Sequence, residues 1–275
     1  MPTLWRGRTG FFALLAAMAC TIPALSQAAP VDPALTAAIA SPTRTPAFAA
    51  RDGARHPAEE LTFMGLKPSM TVVELWPGGG YWTEILGAYL APQGHYYLAI
   101  ESAGEPEEDA MTAKLKGRIA AQGDRFGKIN ETVLGPKQFD IAPAGSADLV
   151  LTFRNLHNWM DGGYAEQVIA ACFKALKPGG ILGIEEHRGR NDKPQDPKAK
   201  DGYVRQDYAI ALFKKAGFKV LASSEINANP KDTKNWVDGV WTLPPTLSQK
   251  DKDREKYLAI GEADNFVMTF QKPAR

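Results

Sequence analysis

The segment Thr71–Glu84, "TVVELWPGGGYWTE", places three consecutive glycines between an apolar run and a segment of helical character. A glycine-rich turn between a strand and a helix allows the backbone to approach a ligand closely. The segment therefore predicts a ligand site at the end of a buried strand. It also poses a question, because Trp76 and Pro77 stand where nucleotide-binding turns often carry another glycine.

From Pro57 onward, mostly apolar strand-like runs alternate with amphipathic helical segments. Such an alternation indicates a parallel sheet covered by helices on both faces, and hence a doubly wound α/β fold. We predict a domain over residues 57–275, preceded by an Ala/Pro/Thr-rich linker or N-terminal arm over residues 29–56. The predicted strands cover residues 70–76, 94–101, 129–134, 146–155, 179–186, 218–226 and 265–273.

Residues 1–28 have the order of a secretory signal peptide: Arg6 and Arg8, then the apolar run "FFALLAAMAC", then small residues ending at Ala28. We predict cleavage after Ala28 and export, with the periplasm as the expected compartment. A membrane anchor is disfavoured because the apolar run is short for a bilayer. A lipoprotein modified at Cys20 is disfavoured because "AAMAC" lacks the leucine usual three residues before such a cysteine.

Cleavage would leave Cys172 as the only cysteine, within the helical pattern "EQVIAACFKAL", where a buried structural role is expected. The net charge of +1 over 275 residues gives no indication of a nucleic-acid partner. After cleavage we expect no membrane-spanning segment. The sequence carries no signal for the oligomeric state.

Two features suggest an adenosine-containing ligand. Gly78 and Gly80 follow the first strand, and Glu101 ends the second strand about 20 residues later, where an acidic side chain can accept ribose hydroxyls. Each feature alone also fits an ordinary tight turn or a solvated strand end. Thr83 stands where a dinucleotide site has its third glycine, which argues against NAD, and no G-K-[ST] follows to suggest a phosphate loop.

The sequence also resembles the class I S-adenosylmethionine (SAM)-dependent methyltransferases. "VVELWPGGGYWTEIL" resembles their first motif, and its end is similar to protein isoaspartate methyltransferases. "SADLVLTFRNLHNW" and "ALKPGGILGIEE" resemble the fourth and fifth strand regions of quinone-biosynthesis C-methyltransferases. The nearest resemblance is to a group of predicted exported methyltransferases. It covers the chain from about residue 57 and implies a mostly parallel seven-stranded sheet with a final antiparallel strand.

The resemblance implies SAM as the cofactor. Glu74 would contact the methionine amino group, Gly78 and Gly80 would admit the methionine and ribose, and Glu101 would bind the ribose hydroxyls. Trp76 departs from the family glycine, either to pack under the sheet edge or to lie against the sulfonium. Pro136 replaces the acid that meets adenine, so Asp140 either substitutes for that acid or caps a turn.

The acceptor side is predicted in "TFRNLHNWMDGG", after the fourth strand. Arg154, Asn155 and His157 are the candidate catalytic residues, with His157 as a base or as a group that orients the loop. Glu186 and its neighbours 185–188 form a second candidate wall. We predict no metal site, because His157 and His187 lack a third ligand at recognisable spacing.

The predicted function is SAM-dependent methyl transfer to an unidentified small-molecule or protein acceptor, with a small-molecule substrate as the expected partner. A different class is also open: an exported binding protein that keeps the fold without turnover. The predicted export favours this alternative, because SAM is made in the cytoplasm and the sequence does not explain how it would reach an exported enzyme. An NAD-dependent oxidoreductase is a third alternative. One titration with SAM and its demethylated product separates these classes, because fold does not fix function.

Overall fold

The computed structural model describes Met1 and residues 30–101 and 106–274, without the side chains of residues 106–109. The predicted signal peptide and Cys20 lie outside the described residues. Seven strands form one sheet. They are β1 (Thr71–Leu75), β2 (His95–Glu101), β3 (Ile129–Leu134), β4 (Ala147–Phe153), β5 (Leu176–His187), β6 (Lys219–Ser224) and β7 (Asn265–Gln271).

The helices alternate with the strands, as the sequence predicts. They are α1 (Pro33–Ile39), α2 (Pro46–Ala49), α3 (Asp52–Arg55), α4 (Pro57–Phe63), α5 (Tyr81–Leu90), α6 (Pro106–Gln122), α7 (Leu156–Asp161), α8 (Ala165–Ala175), α9 (Gln206–Lys215) and α10 (Arg254–Ile260). Short 3-10 turns cover Gly123–Phe126 and Gly239–Thr242.

The strand order is β3-β2-β1-β4-β5-β7-β6. Strands β1 to β5 pair in parallel, whereas β7 lies antiparallel between β5 and β6. This arrangement confirms the predicted doubly wound α/β fold with a final antiparallel strand. The chain reverses direction across the sheet between β1 and β4, which is where open parallel sheets bind ligands.

The core consists of two layers on opposite faces of the sheet. Val72 and Val73 are both fully buried and belong to different layers, because successive side chains of a strand point to opposite faces. One layer packs under α1, α4 and α5, and the other under α7, α8 and α9. Cys172 of α8 is buried as a free thiol, and burial raises its pKa to about 12. The expected structural role of this cysteine agrees with that position.

Residues 33–55, predicted as part of a linker or arm, form α1, α2 and α3 and pack against α5. Leu35 is only 1% exposed. The Glu84 carboxylate accepts hydrogen bonds from the backbone N–H of Thr45 at 2.8 Å and from its hydroxyl at 2.6 Å. The segment is therefore fixed to α5 by apolar and polar contacts, and it brings side chains to the ligand edge.

A second segment over the ligand edge connects β6 to β7. Its residues Val240, Leu243 and Tyr257 form an apolar cluster with Tyr203 of the chain after β5. Asp232 accepts a hydrogen bond from the Tyr203 hydroxyl at 2.9 Å, which ties the segment to the chain after β5. Within residues 30–101 and 106–274, none of the helices combines the length and the hydrophobicity that a bilayer crossing requires.

Candidate functional site

A cavity of about 390 Å³ opens at the carboxyl edge of the sheet, where β1 and β4 end. This volume lies in the range of small-molecule sites. Its walls come from the turn after β1, the loop after β4, the end of β5, the N-terminal helices and the segment before β7. The lining includes Phe48, Arg51, Arg55, Glu74, Trp76, Gly78, Gly79, Trp82, Phe153, Arg154, Asn155, His157, His187, Trp241 and Glu262.

Glu74 presents a buried carboxylate to this cavity. Its Oε2 accepts hydrogen bonds from the Thr83 hydroxyl at 2.9 Å and from the Tyr96 hydroxyl, whereas its Oε1 has no hydrogen-bond partner among the described residues. Burial raises the pKa of Glu74 to about 7, against the lowering effect of those two hydrogen bonds. A buried acceptor without a partner is costly. One oxygen of Glu74 is thus available to a ligand.

Trp76 has a left-handed backbone conformation, with φ of +47°. This conformation is strained for a side chain larger than glycine, which explains why a glycine is usual at this turn. The indole Nε1 donates a hydrogen bond to the Leu134 carbonyl at 3.0 Å, and the ring packs edge-on against Trp159 with centroids 5.9 Å apart. Trp76 therefore packs beneath the sheet edge and also lines the cavity.

The two predicted ligand glycines have different surroundings. Gly78 lines the cavity with φ of +54°, and a Cβ there would meet nothing within 4 Å. Gly80 caps α5 with φ of +93°, and a Cβ there would lie 2.6 Å from the Leu115 side chain of α6. Gly80 does not line the cavity. The close approach that requires a glycine at position 80 is that of a helix.

The structure does not bring Glu101 or Asp140 to the cavity wall. Glu101 ends β2, half-buried and paired in register with Leu134, and the next residues, 102–105, lie outside the described part of the chain. The Asp140 side chain is 89% exposed and forms an ion pair with Lys174 at 2.8 Å. In the structure the loop after β3 therefore holds Asp140 at the surface, away from the cavity wall.

Some polar residues of the loop after β4 stabilise the fold, and others line the cavity. The Asn155 amide donates hydrogen bonds to the Leu75 carbonyl at 3.1 Å and the Trp76 carbonyl at 3.3 Å, which fixes the ends of β1 and β4 to each other. Arg154, with φ of +61°, places its Nη1 3.5 Å from carboxylate oxygens of Glu185 and Glu262. Burial opposes the charge of Arg154, but these two carboxylates outweigh burial and raise its pKa.

His157 lies in the first turn of α7 and is oriented by Glu186. The distance from His157 Nδ1 to Glu186 Oε1 is 2.9 Å, and the His157 backbone N–H donates to Glu186 Oε2 at 3.2 Å. Burial would raise the pKa of Glu186, but His157 and the neighbouring donors hold it below its usual range. The carboxylate therefore stays ionised beside the imidazole.

His187 lies beside His157, with ring centroids 5.3 Å apart. Its Nδ1 is 2.7 Å from Asn265 Oδ1, and burial lowers its pKa to about 3. The ligand atoms of His157, Glu186 and His187 all lie within 4.8 Å of one another. The sequence spacing indicates no third ligand for the two histidines. The structure brings the Glu186 carboxylate close to both of them, because adjacent strands β4 and β5 end together.

Sequence reasoning missed the contribution of the N-terminal helices. Glu262 accepts from Arg51 Nε at 2.7 Å and from Arg55 Nε at 3.3 Å, in addition to its pair with Arg154. Burial opposes ionisation of Glu262, but the arginines lower its pKa to about 2. The two arginines stand four residues apart in "RDGAR", and this helical spacing is the one signal that marked them. Their carboxylate partner lies more than 200 residues away.

No protein-family model and no curated protein matches the sequence. Solved structures do match the fold. A SAM-dependent methyltransferase from Aquifex aeolicus aligns with a TM-score of 0.53 at 17% identity over 81% of this chain and 93% of that one. The [4+2]-cyclase SpnF aligns with 0.54 at 13% over 81% of each. An arsenic(III) SAM methyltransferase from Chlamydomonas reinhardtii aligns with 0.50 at 16% over 89% of this chain and 74% of that one.

These likenesses define the class of the fold: the chain has the Rossmann-like fold of the class I SAM-dependent methyltransferases. The match to a cyclase shows that this fold also carries other chemistry. The activity of this chain must therefore be argued from its own site.

Proposed function

We propose that the protein binds SAM in the cavity at the ends of β1 and β4 and transfers its methyl group to a small-molecule acceptor. The observation that carries the proposal is Oε1 of Glu74, a buried carboxylate oxygen without a hydrogen-bond partner among the described residues, on a side chain that lines the cavity. A cationic amino group is the ligand group that such an oxygen favours. The methionine end of SAM has this group.

The rest of the cavity also suits the methionine end. Arg51 Nη2 is buried without a hydrogen-bond partner among the described residues, and Arg51 lines the cavity. It can receive a carboxylate. Aromatic rings complete the wall, with Trp82 and Phe153 stacked at 4.0 Å between centroids. A desolvated cation gains about 2 kcal/mol over such rings. The cavity thus complements a zwitterion attached to a sulfonium.

SAM supplies an activated methyl group when bound. The residues of this chain then need to hold the acceptor in line with that group and exclude water, which can account for most of the rate. We assign His157 to the acceptor: it lines the cavity, is held by Glu186 and lies 6.0 Å from Trp241 between ring centroids. His157 follows β4 at the carboxyl edge of the sheet, and in doubly wound folds this edge carries the functional residues.

The test is a calorimetric titration of the protein from residue 30 onward with SAM, S-adenosylhomocysteine and NAD in separate runs. Binding of the first two at one site supports the proposal, and binding of neither overturns it. Binding of NAD alone would indicate an oxidoreductase. Mass spectrometry then follows S-adenosylhomocysteine formation with panels of hydroxyl, amine and thiol acceptors.

The alternative function is binding without turnover, since a shared fold does not fix function. A protein of this kind would bind SAM or its product and form no S-adenosylhomocysteine with any acceptor panel. The expected compartment, outside the cytoplasm, makes this comparison necessary. The titration and the turnover assay answer the two questions separately.

A further inference from the structure

Two histidines and a glutamate meet on the acceptor side of the cavity. His157 follows β4, and Glu186 and His187 end β5, the adjacent parallel strand. Both histidines line the cavity, and Glu186 is fully buried behind them. The arrangement is produced by strand register, since Phe153 is paired with Glu185. The question is what two adjacent imidazoles can do there.

The hydrogen bonds determine which ring nitrogens remain available. His187 Nδ1 faces Asn265 Oδ1, and the orientation of that amide is fixed because Asn265 Nδ2 donates to Glu185 Oε1 at 2.9 Å. His157 Nδ1 faces Glu186 Oε1 at 2.9 Å. Both rings therefore donate from Nδ1 to an oxygen acceptor, and Nε2 is the nitrogen left for a ligand. In the described part of the chain, no hydrogen bond involves Nε2 of either ring.

This tautomer is the one that metal-bound histidines adopt. A ligating imidazole donates its other N–H to a carboxylate or an amide oxygen, which fixes the ring and makes the ligating nitrogen more basic. Glu186 has this supporting position, because its Oε1 also accepts from the His187 backbone N–H at 2.8 Å and its Oε2 accepts from the His157 backbone N–H. Glu186 orients one ligand and anchors the backbone of both.

The separation of the rings suits one shared ion. The ring centroids of His157 and His187 are 5.3 Å apart. Two imidazoles bound to one tetrahedral Zn²⁺ at its usual bond length have centroids roughly 5 Å apart. Small rotations of the rings would direct both Nε2 atoms at one ion. The remaining positions of the ion would face the cavity.

We propose that His157 Nε2 and His187 Nε2 bind a divalent transition-metal ion such as Zn²⁺, with open coordination positions toward the acceptor. Imidazole nitrogens favour Zn²⁺, Cu²⁺, Ni²⁺ and Fe²⁺ over Mg²⁺ or Ca²⁺. His157 then serves as a metal ligand instead of the free base that its sequence position suggests. The metal site itself stands on the geometry of the two rings, whereas its use in turnover rests on the proposed methyl transfer.

The test uses protein without a histidine tag, treated with EDTA and titrated with Co²⁺, whose visible absorption reports its ligands. Zn²⁺ affinity follows from displacement of the bound Co²⁺. His157→Ala and His187→Ala should each weaken Co²⁺ binding at least 100-fold. His95→Ala, at an exposed strand position, is the matched control and should bind as the parent does. Equal Co²⁺ affinity in the parent and in the double variant would overturn the proposal.

Two further measurements distinguish loss of the metal site from misfolding of a variant and from failure of the proposed function. X-ray absorption of the Zn²⁺-loaded parent should show two imidazole ligands, and a spectrum without them would also overturn the proposal. SAM titration of each variant reports whether it is folded. Loss of turnover in His157→Ala with full turnover in His187→Ala would show that His157 acts alone as a base. Absence of SAM binding in a parent that binds Co²⁺ would contradict the proposed function and leave the metal site in place.

Discussion

The Nδ1 atom of His157 lies 2.9 Å from Oε1 of Glu186, across the ends of two adjacent parallel strands. Both side chains are almost fully buried, and Glu186 also binds the backbone N–H of His157. The carboxylate thus fixes the ring in two ways.

Glu186→Gln tests this relationship. An amide keeps the size of the side chain but places an NH₂ group among donors that need an acceptor, so the ring of His157 loses its fixed orientation. We expect metal affinity and turnover to fall about 10- to 100-fold, with SAM affinity unchanged. The measurements are Co²⁺ and SAM titrations, with the exposed Glu166→Gln as the control. Unchanged metal binding in Glu186→Gln would contradict a supporting role.

Glu74 predicts a pH dependence of stability. Its folded pKa of about 7 lies above the ordinary value of 4.5 because of burial, so between these values the folded protein keeps a proton that the unfolded chain has released. Stability contributed by this group is present below pH 4.5 and is lost as the pH rises to 7, by roughly 3 kcal/mol in total. Denaturant unfolding at several pH values should show this decline, and Glu74→Gln should flatten it.

The same carboxyl predicts the direction of ligand linkage. A cationic amino group favours ionised Glu74, so SAM affinity should rise with pH up to about 7 and then level off. Calorimetry in buffers of different ionisation enthalpy should detect proton release near pH 6. Glu74→Gln should abolish the release and weaken SAM about 10- to 100-fold. Proton uptake on binding would contradict the proposed contact.

Gly78 and Gly80 form a matched pair. Gly80→Ala places a Cβ 2.6 Å from Leu115 at φ of +93°, so we expect a loss of stability of about 2 to 4 kcal/mol. Gly78→Ala meets open space and should lose only about 1 to 2 kcal/mol from its backbone, but should weaken SAM because it lines the cavity. Urea unfolding and SAM titration of both variants separate the roles. A stable Gly80→Ala variant without SAM affinity would restore the sequence-based assignment.

Arg154 tests the buried charge cluster. Arg154→Met leaves Glu185 and Glu262 without this cation, and Glu185 is completely buried. We expect a loss of about 3 to 5 kcal/mol in the free energy of unfolding. Adding Glu185→Gln should recover part of it, whereas Arg190→Met, at an exposed ion pair, should change little. If Arg154→Met keeps full stability and loses only substrate affinity, then Arg154 serves the ligand alone.

Export is predicted by the order of segments in residues 1–28. Mass spectrometry of the protein from its native host should show an N-terminus at Ala29. An intact Met1 on the mature protein would contradict this prediction.

Strands β1, β4 and β7 were predictable because each is an apolar run buried along most of its length. The strand bounds differ from the prediction mainly at the ends. Leu35 was not recognisable as a core residue, because an Ala/Pro/Thr-rich segment has no apolar period and is ordered by contacts with α5. Likewise, His157 and Glu186 were each identified as wall residues, but their contact depends on the register of β4 against β5, which no local pattern contains. The role of Glu262 could not be predicted either, because its arginine partners lie in the N-terminal helices, far away in the sequence.

The turn after β1 has one further consequence, which follows from the tryptophan at its first position. A glycine at position 76 would leave the turn free to sample many shapes until a ligand arrived. Trp76 instead has an unfavourable backbone conformation, which its side chain stabilises through contacts with Leu134 and Trp159. The entropy of ordering the turn is therefore lost when the protein folds and not when it binds. The ligand meets a preorganised surface, so the turn should be as rigid in the free protein as in the complex.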